Sequence, residues 1–208
     1  MKRLTQIADA CGTDKGTGFG EGHSYTEIYQ DYLEKYIGKR PKILEIGVLT
    51  GASVKMFNDL YGGDCEIWTV DIDYSVCSYK ADNVHRYTVN QNSLDDWKRF
   101  FSEAPEKFDI ILDDGSHQPE HQVHTLYWLS DRVEDEGIYI LEDLHTYMWD
   151  SVEDSPLHLL TFWNQNKYLS PDEQRTLSER IKDYSVVQIM NPRSHYCGRS
   201  ITSIIHFK

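Results

Sequence analysis

Two acidic clusters each follow an apolar run in the second half of the chain. Asp113-Asp114-Gly115-Ser116-His117 comes directly after Phe108-Asp-Ile-Ile-Leu112, and Glu142-Asp143 comes directly after Gly137-Ile-Tyr-Ile-Leu141. Carboxylates and an imidazole gathered at one place have the makings of a divalent metal site and a base. An all-oxygen ligand set suits a hard cation, magnesium first, with manganese or calcium as substitutes. Imidazole can take up a proton near neutral pH. The interval from Asp114 to Glu142 fits a strand, a crossover helix and a parallel strand, a unit of about 30 residues. Parallel neighbours open a ligand crevice at their carboxyl ends, so the two clusters are expected to converge there.

The elements that would position them alternate along the chain. Residues 1 to 10 suit a short helix, and the glycine-rich stretch Gly12 to Gly22 reads as a mobile loop that orders over the crevice like an active-site lid. A helix over Tyr25 to Tyr36 carries Ile28, Tyr32 and Leu33 as an inward stripe. Strands are expected at Pro41–Gly47, Cys65–Val70, His85–Val89, Phe108–Leu112 and Gly137–Leu141, with helices at Gly51–Tyr61, Leu94–Ser102 and Glu120–Leu129. This alternation implies a parallel sheet covered on both faces. After Leu144 an irregular aromatic and acidic segment is expected to reach Ser155, followed by helices over 156–166 and 171–181. Ser185–Met190 and Ser200–Phe207 read as an antiparallel hairpin at a sheet edge.

The chain has 208 residues, enough for one well-buried domain. It is read as one compact domain whose main part spans 38–208, with a helix and lid segment over 1–37. Its 34 acidic and 21 basic side chains give a formal charge of −13. That balance argues against nucleic acid or an anionic membrane surface as partner and for a neutral or cationic small molecule. The first residues lack the apolar core of a signal peptide, and no window approaches a membrane span, so a soluble, cytoplasmic protein is expected. Homo-oligomer formation is compatible with the sequence. Cys11, Cys65, Cys77 and Cys197 are scattered without a CxxC pair and read as free thiols.

Lys42-Ile-Leu-Glu-Ile-Gly47 followed by Val-Leu-Thr-Gly-Ala-Ser53 places glycines between a strand and a helix, where a ligand approaches backbone amides. The pattern is neither GxGxxG nor a P-loop. Asp71 stands roughly 20 residues on, where a carboxylate accepts hydrogen bonds from ribose hydroxyls. A turn glycine and a surface aspartate are the plain alternative. In these features the sequence resembles class I S-adenosylmethionine-dependent methyltransferases. The resemblance assigns the amino acid end of the cofactor to Glu45, Gly47 and Ser53, the ribose to Asp71, and the adenine surroundings to Asn92 and Ser93. Asp113 is expected to face the cofactor, and Tyr25 to reach it. The family's Rossmann-like, doubly wound sheet has the order 3-2-1-4-5-7-6 with the last strand antiparallel.

Gly12-Thr-Asp-Lys-Gly16, His23-Ser-Tyr25, Asp113-Asp-Gly-Ser-His117 with His121, and Glu142-Asp-Leu-His-Thr146 look more specifically like the metal-dependent sugar O-methyltransferases of macrolide and related antibiotic pathways. The similarity runs to about residue 149. It implies Asp114, Glu142 and Asp143 as metal ligands and His117 as general base, with S-adenosylmethionine and magnesium as cofactors. Tyr147-Met148 departs from the family's pattern and bears on substrate contacts. His121 and His124 fall on the following helix, and His145 reads as a packing or lid residue. Tyr25, Tyr29, Tyr147, Trp149 and Trp163 are candidate walls for a sugar ring. The implied reaction is methyl transfer to a hydroxyl of a sugar such as rhamnose in a glycan or glycosylated product. A catechol-like phenol acceptor, a cofactor-binding protein without turnover, and a metal-dependent oxygenase are the alternatives.

Overall fold

In a computed structural model of the chain, residues 3–18, 22–144, 168–190 and 199–208 are described. Seven strands form one sheet: β1 (Lys42–Ile46), β2 (Glu66–Asp71), β3 (Val84–Thr88), β4 (Phe108–Asp113), β5 (Val133–Leu141), β6 (Ile181–Met190) and β7 (Arg199–Phe207). Their order is β3-β2-β1-β4-β5-β7-β6, as expected from the resemblance. The five N-terminal strands pair in parallel, and β7 runs antiparallel to both β5 and β6.

Helices α1 (Arg3–Cys11) and α2 (Thr26–Leu33) precede the sheet, and a 3₁₀ turn, Glu34–Tyr36, extends α2. The single helix expected over Tyr25 to Tyr36 therefore tightens in its last turn, as helix ends often do. Helix α3 (Ala52–Leu60) links β1 to β2, α4 (Leu94–Phe101) links β3 to β4, α5 (Pro119–Leu129) links β4 to β5, and α6 (Pro171–Arg180) leads into β6. Local chemistry sets several starts. Ser93 Oγ accepts from the Asp96 amide at 3.3 Å to cap α4, Pro119 opens α5, and Ser170 with Glu173 forms a capping box on α6.

Successive strand residues face opposite layers. Leu44, Ile46, Ile111, Tyr139 and Leu141 pack with Trp97, Phe100, Val123, Leu126 and Leu177 of α4, α5 and α6. Ile43, Ile67, Ile110, Leu112, Ile138 and Ile140 pack with Leu4, Ala8, Tyr29, Leu33, Val54 and Phe57 of α1, α2 and α3. The N-terminal helices thus complete one face of the sheet. β5 begins at Val133, earlier than the expected Gly137. Its register against β4 shifts between the Phe108 and Ile110 pairs, where Glu136 takes a φ of +63°. Such an irregularity breaks the alternation that reveals a strand in sequence. The expected helix over 156–166, the irregular segment 145–155 with His145, Tyr147 and Trp149, and Trp163, Cys197 and the hairpin turn lie outside the described residues.

Candidate metal and cofactor site

A cleft of about 860 Å³ opens at the carboxyl ends of β1, β2 and β4. Its floor is a turn that only glycine tolerates. Gly47 has a φ of +82°, and a Cβ there would stand 2.1 Å from the Asp114 carbonyl oxygen. The turn after β1 and the turn after β4 are therefore in backbone contact. Asp71, at the end of β2, holds the first turn from the other side. Its Oδ2 accepts from the amides of Val48 at 2.7 Å and Leu49 at 3.3 Å, and its Oδ1 accepts from Asp73 at 3.1 Å. Leu49, Ile72 and Val76 form an exposed apolar rim to the cleft. Beneath it, the Ser53 hydroxyl donates to Glu45 Oε1, while Glu45 Oε2 is buried with no partner among the described residues. Burial raises the Glu45 carboxyl to about 8.

Asp113 is also buried, but its oxygens are satisfied. Tyr139 donates to Oδ2 at 2.9 Å, and Gln91 Nε2 donates to Oδ1 at 2.9 Å. Burial still raises Asp113, to about 6. The other end of the Gln91 amide accepts from the Ser116 amide at 2.9 Å, so Gln91 ties the loop after β3 to the loop after β4.

Register brings the acids together. Asp113 pairs with Leu141, and the Glu142 amide donates to the Asp113 carbonyl at 3.0 Å, which sets Asp114 beside Glu142 and Asp143. His117 Nε2 lies 3.9 Å from Asp114 Oδ1 and 3.6 Å from Asp143 Oδ2. These separations are too long for hydrogen bonds. They are close to what ligands around one shared cation show, about 3 to 4 Å apart for metal–oxygen bonds of about 2.1 to 2.4 Å. Asp114, His117 and Asp143 are the described residues whose donor atoms gather this way. His117 and Asp143 adopt φ of +56° and +57°. That left-handed backbone costs on the order of 1 kcal/mol each.

Glu142 faces elsewhere. Tyr29 donates its hydroxyl to Oε1 at 2.7 Å, and the Lys15 ammonium donates to Oε2 at 2.5 Å and also to Asp114 Oδ2. Tyr25 donates to Asp143 Oδ1 at 2.8 Å. Burial, reinforced by the neighbouring acids, holds both phenols well above the ordinary tyrosine range, so both remain donors. Burial and mutual repulsion likewise push Glu142 upward.

Of the residues singled out in sequence, Gly47, Ser53, Asp71, Asp114, His117 and Asp143 line the cleft. Tyr25, Glu45, Asn92, Ser93, Asp113 and Glu142 do not. Tyr25 and Glu142 stand behind the acid cluster, Glu45 behind Ser53, and Asp113 inside the Gln91–Tyr139 network. Ser93 caps α4, and Asn92 Oδ1 bonds His124 Nδ1 at 3.0 Å, leaving Asn90 and Gln91 as the lining residues of that loop. His121 lines the cleft and bonds Ser116 Oγ at 2.8 Å. The glycine-rich loop is docked over its described part: the amides of His23, Ser24 and Thr26 donate to the carbonyls of Asp14, Gly16 and Lys15. Lys15 falls within the Gly12–Gly16 motif, yet nothing in the sequence assigns it a role. A lysine between two glycines, with one threonine and one aspartate, far in sequence from either acid cluster, offers only its charge as a signal.

No family model matches the sequence. The chain is 30% identical over 152 residues to 8-demethyl-8-(2-methoxy-alpha-L-rhamnosyl)-tetracenomycin-C 3'-O-methyltransferase of Streptomyces olivaceus, a match covering 69% of this chain and 37% of the relative. It is 28% identical over 156 residues to mycinamicin VI 2''-O-methyltransferase of Micromonospora griseorubida, covering 70% of this chain and 37% of the relative. The chain thus spans little more than a third of the curated relatives it matches. Its fold superposes on a solved structure of the mycinamycin-pathway methyltransferase MycE in complex with Mg and SAH, with a TM-score of 0.77 at 21% identity, over 99% of this chain and 55% of that one. In sequence the chain is similar to sugar O-methyltransferases of antibiotic pathways, and in fold to a methyltransferase of one such pathway.

Proposed function

We propose that this chain carries the catalytic site of an S-adenosylmethionine-dependent, divalent-metal-dependent O-methyltransferase acting on a sugar hydroxyl of a glycosylated small molecule or oligosaccharide, with rhamnose as the model acceptor. The observation that supports it best is the meeting of Asp114, His117 and Asp143 at one end of a cleft whose other end is the Gly47 turn and Asp71. The name of one relative, which specifies O-methylation of a rhamnosyl tetracenomycin, supports the acceptor class.

Each residue has a task in that reading. The amides around Gly47, with Ser53 and Glu45 beneath, receive the amino acid end of the cofactor, and Asp71 receives the ribose. The adenine surroundings fall to the 90–93 loop, with Asn90 and Gln91 at the lining positions. S-adenosylmethionine brings a methyl group already activated by its sulfonium charge, so the protein mainly aligns oxygen, carbon and sulfur. Asp114, Asp143 and Glu142 would hold a divalent ion, which supplies the positive charge that acidifies an acceptor hydroxyl. His117 takes the hydroxyl proton as general base, and the carboxylates of Asp114 and Asp143 stabilise the imidazolium that results. Tyr25 and Tyr29 fix the acids by donating to their outer oxygens.

A specific observation favours a second version. Nε2 of His117 faces the acids while Glu142 is engaged by Lys15 and Tyr29, so His117 is the third metal ligand in that version. Incubation of the protein with labelled methyl donor and a panel of glycosides and catechols, before and after exhaustive chelation, tests the reading. Labelled glycoside that disappears on chelation and returns with magnesium is the expected result. Undiminished transfer without metal removes the ion from the reaction, and label confined to catechols replaces the sugar by a phenol. Manganese affinity of His117→Ala separates base from ligand: it is retained for a base and lost for a ligand.

A further inference from the structure

Lys15 has no part in the chemistry above, yet it is 1% exposed and its ammonium donates to two of the proposed metal-binding acids, Asp114 and Glu142. Desolvating an ammonium is worth several kcal/mol against the fold. With a carboxylate on each of two sides, Asp114 and Glu142, the buried ammonium has its opposite charges in direct hydrogen-bond contact. The loop that carries it is anchored. Asp9 accepts from the Thr17 and Gly18 amides, each at 2.7 Å, and the Lys15 carbonyl accepts from Thr26 at the start of α2 at 3.1 Å. The chain therefore delivers its own cation to the acid cluster from an element far away in sequence.

The oxygens divide in a telling way. Asp114 turns Oδ2 to Lys15 and Oδ1 toward His117, whereas both oxygens of Glu142 are taken, by Lys15 and Tyr29. A dication drawing on Glu142 meets the ammonium there, and two like charges a few ångströms apart repel strongly away from bulk water. Lys15 contacts Asp114 and Glu142 but not Asp143, so one ammonium faces three clustered acids and the cluster retains an attraction for a dication. Resting on the metal reading above, we propose that Lys15 is a tethered ammonium that competes with the divalent ion for Glu142 and Asp114. It keeps the acids assembled when no ion is bound and holds the ion's affinity down when one is.

Lys15→Met keeps the length of the stem and removes the charge. Manganese binding followed by electron paramagnetic resonance is expected to be at least about tenfold tighter in Lys15→Met than in the wild type, given the size of such repulsions. The metal-free variant is expected to melt at a lower temperature than metal-free wild type, and saturating manganese to close that gap. Equal or weaker manganese binding by folded Lys15→Met overturns the competition while leaving the metal site standing. Failure of both proteins to bind manganese overturns the metal reading and the competition with it. Should Lys15→Met not fold, the wild type provides the test: the side-chain ¹⁵N resonance of Lys15 is expected to shift when magnesium is added, and an unmoved resonance at saturating magnesium overturns the proposal.

Discussion

The two halves of the cleft are built from different materials. At the ends of β1 and β2 the walls are backbone: a turn with φ of +82° at Gly47 and two amides pinned by Asp71. At the ends of β4 and β5 the walls are side chains that repel one another, held by Lys15, Tyr25 and Tyr29 reaching over from the N-terminal segment. A backbone wall stays in place whether or not a ligand is present, because its polar groups are satisfied within the turn. An acid cluster stays in place only while something offsets its charge. The first half should therefore respond to shape and the second to charge.

The largest effect is expected where the halves touch. Gly47→Ala forces a left-handed φ on a side chain and drives its Cβ into the Asp114 carbonyl. A loss of about 3 kcal/mol or more of stability, measured by denaturant unfolding, should accompany loss of both cofactor and metal binding. Retention of either ligand with wild-type affinity would show that the halves are independent after all. Next comes Asp114→Ala, which should abolish methyl transfer yet leave the affinity for the cofactor nearly unchanged by calorimetry. A large fall in cofactor affinity would erase the distinction between the halves.

The same distinction explains what the sequence made legible. The alternation of strands and helices, the convergence of Asp114 with Glu142 and Asp143, and the Gly47–Asp71 pair follow from local patterns: alternation, the length of a crossover, a glycine after a strand; the strand order follows only from the family resemblance. Those signals lie within some 30 residues of one another. Lys15, Tyr29 and Tyr25 meet the acid cluster across 99, 113 and 118 residues of sequence. Nothing local marks them, and Tyr29 reads equally well as core. Asn92 and Ser93 stand outside the cleft lining, next to Asn90 and Gln91 within it, for a related reason. Gln91 turns inward to Asp113 while Asn92 turns to His124, and which way successive loop residues point depends on partners from β4 and α5. The strand expected from Gly137 begins at Val133 because an irregularity at Glu136 hides its first residues from the alternation.

A smaller effect belongs to His117→Ala. As a base, its removal should lower kcat by about 10² to 10⁴ with cofactor affinity retained. A variant within a few-fold of wild type would move the proton to another acceptor, and His121, which also lines the cleft, would be the next side chain to change.

The smallest effect is expected in the backbone half and isolates its one unsettled charge. Glu45 and Asp113 both sit near the ends of central strands, but Asp113 has partners on both oxygens and Glu45 on one. Correspondingly, burial raises Asp113 to about 6 and Glu45 to about 8. The folded protein thus keeps the Glu45 proton that the unfolded chain releases near the ordinary value of 4.5. Between those two values the folded state binds more protons, so stability must fall as pH rises from about 4.5 to about 8, and level off above. Glu45→Gln cannot ionise and should lack this part of the slope. Unfolding free energies of the metal-free proteins should therefore diverge with pH, with the variant gaining on the wild type by a few kcal/mol at most by the alkaline end. Parallel profiles for the two proteins would mean that a ligand-free Glu45 finds solvent or a partner when ionised. The backbone half would then answer to charge as the acid half does.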